Sequence, residues 1–92
     1  MNALAVLQRS EKATFEVVAD EAILIHMENG AYFSLNRLGT EFWEMLDGQS
    51  PIRTHARSMA RKYQVTDERV ETDLLELSDR LLQADLVHLI QV

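Results

Sequence analysis

His26, His55 and His88 are the side chains best placed by type for proton transfer or metal ligation. They are scattered, with no pair four residues apart and no H-E-x-x-H arrangement, so a zinc-type site on one helix face is not indicated. Ser10, Ser34, Ser50, Ser58 and Ser78 occur in no nucleophile-elbow pattern. Gly30, Gly39 and Gly48 stand too far apart to form a phosphate loop. Asp73 and Glu76 are close together on a predicted helix, but as part of an acidic face of the kind that is normally solvated. With no cysteine, a disulfide, a thiolate nucleophile or a Cys-based zinc site is excluded. The expectation is a non-enzyme with no catalytic residue, no metal and no cofactor. That leaves binding.

The elements that would position a binding surface are legible. At 92 residues the chain is one domain, near the size at which cores become marginal. One Pro, three Gly and an apolar content of 47% argue against disorder. The first 13 residues lack the basic and apolar regions of a signal peptide and read as a flexible arm, with the domain proper at 14–92. No apolar run approaches the roughly 20 residues that span a bilayer. The default is a soluble cytoplasmic protein without a membrane partner.

Thr14–Val18 and Ala22–Glu28 are predicted strands, and Asn29-Gly30 is the strongest short hairpin signal. A two-residue turn there predicts a return strand Ala31–Leu35, with Met27 opposite Tyr32 and Leu24 opposite Leu35. Leu24, His26, Phe33 and Leu35 then share one face, and Ile23, Ile25, Met27, Tyr32 and Ser34 the other. Both faces are fairly apolar, so both are covered within the fold or one waits for a partner. Helix 1 is predicted from about Asn36 to Asp47, with a stripe of Leu38, Phe42, Met45 and Leu46 and Gly48 as C′ residue. Helix 2 is predicted over Pro51–Tyr63 with Ser50 as N-cap, burying Ile52, Ala56, Met59, Ala60 and Tyr63. Helix 3 begins after the N-cap Thr66 and runs to about Ala84, burying Val70, Leu74, Leu77 and Leu81, with an extended tail beyond. The expected class is α+β and winged-helix-like: a three-stranded antiparallel sheet followed by three helices.

Strand Ala31–Leu35 is the last before the helices, and at a sheet edge its free N–H and C=O groups can template an added strand. The strand Thr14–Val18 or another copy of the chain can equally cover that edge. Helix 3 carries a wide stripe of Leu74, Leu75, Leu77, Leu81, Leu82 and Leu86, which suits a fully buried helix or a groove beside the strand. Charge segregates. Helix 2 holds Arg53, Arg57, Arg61 and Lys62 with no acid, while Asp67–Ala84 is net −4. The Arg53–Arg57–Arg61 stripe is either neutralised by helix 3 or solvent, or docks an acidic partner surface. In winged-helix regulators the third helix reads the major groove, and an acidic one repels phosphate. The overall charge of −6 points the same way, against nucleic acid as a partner.

Three segments carry a resemblance: the hairpin "AILIHMENGAYFSLN", the "LNRLGTEFWEMLDG" that follows, and "YQVTDERVETDLLELSDRLLQADLV". From about Thr14 to Leu89 the chain resembles the PqqD-like family, the RiPP recognition element. One departure is Asp85, where the family often has Gly, so the end of helix 3 is expected to differ. The resemblance implies a non-catalytic adaptor that binds the leader segment of a ribosomally made precursor peptide. The leader adds as a strand to Ala31, Tyr32, Phe33, Ser34 and Leu35, and the groove wall is expected from Asp73, Leu74, Leu77 and Leu81 of helix 3. Phe42 and Trp43 match positions that look structural. It also implies a partner enzyme, a radical S-adenosylmethionine enzyme or a leader peptidase with its cyclase, and the Arg53–Arg57–Arg61 stripe is the expected part of the docking surface for it. Homodimerisation through the strand edge and a winged-helix DNA-binding regulator are the alternatives.

Overall fold

The computed structural model of the chain describes residues 1–90; Gln91 and Val92, assigned above to the extended tail, lie outside the described residues. The elements are β1 (Val6–Arg9), β2 (Ala13–Val18), β3 (Glu21–His26), β4 (Tyr32–Leu35), α1 (Arg37–Met45), α2 (Ile52–Tyr63), α3 (Asp67–Gln83) and β5 (Val87–Ile90). β2, β3 and β4 form an antiparallel sheet in that order, with β4 at one edge, and β1 pairs with β5 in a second, two-stranded sheet. Three helices follow the three-stranded sheet, as expected of the α+β, winged-helix-like class. Among the described residues no helix is long and apolar enough to cross a membrane.

The first correction concerns residues 1–13, read as an arm. Val6–Arg9 is a strand, and Leu7 is 1% exposed within the core. The reason lies partly in α2. Its N-cap is Pro51, not Ser50, and it has no capping side chain. Ser50 instead donates its hydroxyl to Asp47 Oδ2 at 3.0 Å. The open first turn is satisfied by the N-terminal segment: Ile52 N–H donates to the Ala5 carbonyl at 3.0 Å and Arg53 N–H to that of Ala3 at 2.8 Å. A segment that caps a helix and pairs with the C-terminal strand is part of the domain.

The second correction is the register of the β3–β4 hairpin. Leu24 faces Phe33 and Ala22 faces Leu35, two residues from the predicted pairing. Met27–Gly30 forms a four-residue loop in which Gly30 alone takes positive φ, +75°. The buried imidazole of His26 holds it: Nδ1 accepts from the N–H groups of Glu28 at 3.3 Å and Asn29 at 3.4 Å. Asn29 Oδ1 accepts from Ala31 N–H at 2.8 Å. The two-residue turn lies one hairpin earlier, at Ala19–Asp20, with φ of +52° and +66°. A slip of two preserves side-chain alternation, so the predicted faces stand.

The core takes one face of each element. Phe42 and Trp43 of α1, Ile52, Ala56 and Met59 of α2, and Val70, Leu74 and Leu81 of α3 are buried against Leu7, Leu24 and Leu35. Thr40 locks α1 to the sheet, its hydroxyl accepting from Ala22 N–H at 2.8 Å and lying 3.4 Å from the Leu35 carbonyl. α1 ends at Met45, and Leu46, not Gly48, follows it as the cap. On α3 the fourth core slot belongs to Ser78, whose hydroxyl donates to the Leu74 carbonyl at 2.6 Å; the predicted fourth, Leu77, is only half-buried.

Candidate functional site: an open strand edge beside helix 3

The site begins with main-chain geometry. His26 N–H donates to the Ala31 carbonyl at 2.8 Å. In an antiparallel ladder bonded and non-bonded pairs alternate, so Leu24–Phe33 is the next bonded pair, and at Ala22–Leu35 the Thr40 hydroxyl stands between the Ala22 N–H and the Leu35 carbonyl. Phe33 and Leu35 are therefore turned toward β3. Tyr32 and Ser34 direct theirs to the free edge. Side chains follow the opposite alternation, with Leu35 buried, Phe33 half-buried, and Tyr32 and Ser34 exposed.

Across that edge lies α3. Phe33, Ser34, Leu35, Asn36 and Gly39 from the β4–α1 side face Asp73, Glu76, Leu77 and Arg80 across a cleft of about 220 Å³. That is below the roughly 300–1,000 Å³ of ordinary small-molecule sites, so the cleft suits individual side chains of a strand. The α3 residues recur at i, i+3, i+4 and i+7, one stripe of a helix. The guanidinium of Arg80 stands 4.8 Å from the Phe33 ring centroid, a cation–π contact that closes one end. Asp73 and Glu76 make the rest of the wall acidic. Gly39 forms the floor: a Cβ there would lie 3.3 Å from Leu35, Asn36 and Leu77 side chains.

Of the predicted strand residues, Tyr32, Phe33, Ser34 and Leu35 form β4 and Ala31 immediately precedes it. Of the predicted groove wall, Asp73 and Leu77 line the cleft, whereas Leu74 and Leu81 are fully buried in the core. Helix phase decides this, because both sit on the stripe that meets the other helices. Glu76, Arg80, Asn36 and Gly39 were missed. Once Leu77 is placed at the groove, the i−1 and i+3 positions Glu76 and Arg80 follow. Nothing in the sequence sets that phase, since Leu74 and Leu77 are the same residue.

The end of α3 helps to fix the hairpin that carries β4. Asp85 occupies the left-handed C′ position at φ +58°, with Asp85 N–H bonded to the Leu82 carbonyl at 3.1 Å and Leu86 N–H to that of Leu81 at 3.0 Å. The helix thus ends in the Schellman arrangement that Gly commonly provides, contrary to the expected difference. Asp85 Oδ2 lies 3.0 Å from His26 Nε2 and 3.9 Å from Lys12 Nζ. With Nδ1 accepting from the loop, Nε2 carries the proton and donates to Asp85. This hydrogen bond, with a lesser contribution from the nearby Lys12 charge, holds the Asp85 carboxyl below the usual carboxylate range against the opposing cost of desolvation.

The basic stripe on α2 is partly spent. Arg53 Nε lies 3.4 Å from Glu71 Oε2, and Lys62 pairs with Glu41, which leaves Arg57 and Arg61 exposed. His55 is buried beneath the helix against Phe42, and burial pushes its pKa down. His26 is structural and His88 lies on β5. Among the described residues no group of three or more His, Asp or Glu side chains is placed to hold a metal.

Fold and site define a small winged-helix-like domain that keeps one sheet edge open beside a helix. The chain belongs to the PqqD family: the family model described as Coenzyme PQQ synthesis protein D (PqqD) matches residues 21–87. Among solved structures it is similar to TbiB1 in complex with the TbiA(beta) leader peptide. Identity is 25%, the TM-score is 0.80, and the match covers 88% of this chain and 94% of that one. A comparison with the curated proteins finds no match.

Proposed function

We propose that this chain is a non-catalytic adaptor that binds the leader segment of a ribosomally made precursor peptide and presents it to a modifying enzyme. The observation that carries the reading is the edge of β4. Tyr32 and Ser34 offer main-chain donors and acceptors beside a cleft sized for side chains, in a chain of the PqqD family. The similar structure, TbiB1, was solved with a leader peptide. The leader adds as a strand hydrogen-bonded to Tyr32 and Ser34, and alternate side chains enter the cleft between Phe33 and Leu77. The enzyme is of the leader-peptidase or radical S-adenosylmethionine type, and Arg57 and Arg61 are left as a small contact for an acidic part of it. The adaptor works in the cytoplasm, where such precursors are made. α3 is acidic along the face toward β4, which disfavours a nucleic-acid ligand there.

Isothermal titration of the purified chain with leader peptides from short precursor genes beside its own gene tests the reading. One peptide is expected to bind at about micromolar affinity or better. Absence of binding by every such peptide to a folded monomer contradicts it.

A further inference from the structure

The side of the β2–β3–β4 sheet that faces away from the helices carries an exposed apolar strip. Register places Val18, Ile23, Ile25 and Tyr32 in it, with Thr14 and Ser34 alongside. Ile23 and Ile25 are 45% and 42% exposed and Tyr32 75%, whereas Ala22 and Leu24, between and beside them on β3, are fully buried on the inner face. A sheet side that meets only water ordinarily turns polar, and a contiguous exposed apolar set marks a surface of interaction. Its border is acidic. Glu16 and Glu21 share this face by register, Asp20 stands at the adjoining turn, and the whole stretch from 13 to 36 contains no Lys or Arg.

We propose that this outer face seats a protein partner whose surface has an apolar centre and a basic edge. Resting on the function proposed above, that partner is the modifying enzyme. An apolar centre with an acidic rim is complementary to such a surface in both area and sign. A second copy of the chain would set acidic rim against acidic rim at a net charge of −6 each. An anionic membrane would be repelled for the same reason. The face is also continuous with the β4 edge. A strand bonded to Tyr32 and Ser34 sends every second side chain into the cleft and the others onto this outer face. The enzyme would therefore touch adaptor and leader together, and would read leader positions that the cleft does not use.

The test is binding of the purified maturation enzyme encoded beside this chain's gene, measured by biolayer interferometry without and then with leader peptide. Two double variants of the full chain are compared, each first shown to fold by circular dichroism. Ile23→Thr with Ile25→Thr removes apolar surface but keeps β propensity. Glu16→Lys with Glu21→Lys changes only charge. Each is expected to weaken enzyme binding by about tenfold or more. Leader affinity in the absence of enzyme should stay within about threefold, since both pairs lie off β4. Unchanged enzyme binding by the folded variants overturns the proposal, as does a native chain that does not bind that enzyme. Loss confined to Arg57→Glu with Arg61→Glu moves docking to α2 and overturns it too. A concentration-dependent dimer dispersed by the Ile variants assigns the face to a second copy instead. Failure of the leader reading is seen separately: leader titration with the native chain is silent while enzyme binding still depends on Ile23 and Ile25.

Discussion

Two short segments of this chain, residues 3–9 and residues 31–35, meet the same demand in opposite ways. Each brings main-chain donors and acceptors that need partners. The N-terminal segment finds them inside the molecule, since β1 pairs with β5 and the carbonyls of Ala3 and Ala5 accept from the open first turn of α2. β4 finds only half of its partners, on the β3 side. Its other edge lies along a cleft walled by α3. Where backbone groups are closed within the fold the segment supports stability, and where they are left open it is available to a ligand. The contrast makes definite demands on mutants.

The largest effects should fall on the closed side. Leu7→Ala empties a site that is 1% exposed and should cost about 2–5 kcal/mol in chemical denaturation, without acting on the cleft directly. On the open side, Ser34→Pro removes an outward N–H that β3 does not use. Leader binding should fall by about a hundredfold or more while the thermal midpoint stays within a few degrees, because Phe33 is already extended as a residue before proline must be. Unchanged affinity in a folded variant would sink strand addition. A pair on one helix sharpens the contrast further. Leu74→Ala should destabilise by about 2–5 kcal/mol, whereas Leu77→Ala, half-buried at the cleft, should chiefly weaken leader binding. Ala19→Gly relieves left-handed strain at an exposed turn and should stabilise by about 1 kcal/mol in the same denaturation assay.

The smallest effects are those of pH. His55 is held neutral by burial, so the unfolded chain takes up a proton that the folded chain resists. Its contribution is intact above about pH 6.5 and declines as pH falls through that value. Asp47 adds a loss at lower pH. Hydrogen bonds from the Ser50 and Gln49 N–H groups bring its pKa down to about 2, so its contribution disappears as pH falls from about 4 toward that value. His55→Phe should flatten the first decline in a pH series of melting curves and leave the second.

Much of this was legible in the chain. Helical periodicity located all three helices to within a few residues, and the faces of the hairpin were assigned correctly although its register was off by two. The register failed because Asn29-Gly30 is a turn signal that a buried side chain overrode: the acceptor that enlarges the loop is His26, whose burial only the tertiary structure sets. The Ala19–Asp20 turn was missed because Ala is a poor left-handed residue and gives no local sign. The N-terminal strand was missed because its partners, β5 and α2, lie more than forty residues away in sequence. The edge position of the strand Tyr32–Leu35 was legible from its place before the helices. Of the four helix residues expected beside it, Asp73 and Leu77 line the cleft, while Leu74 and Leu81 are buried in the core.

Strand addition at β4 has an alternating signature, and residue-resolved amide hydrogen exchange by NMR reads it most directly. The account predicts that a bound leader peptide slows exchange at Tyr32 and Ser34, whose N–H groups face the free edge. Phe33 and Leu35, already directed at β3, should change much less. A leader that binds while Tyr32 and Ser34 exchange as fast as in the free chain would place it elsewhere and contradict the account.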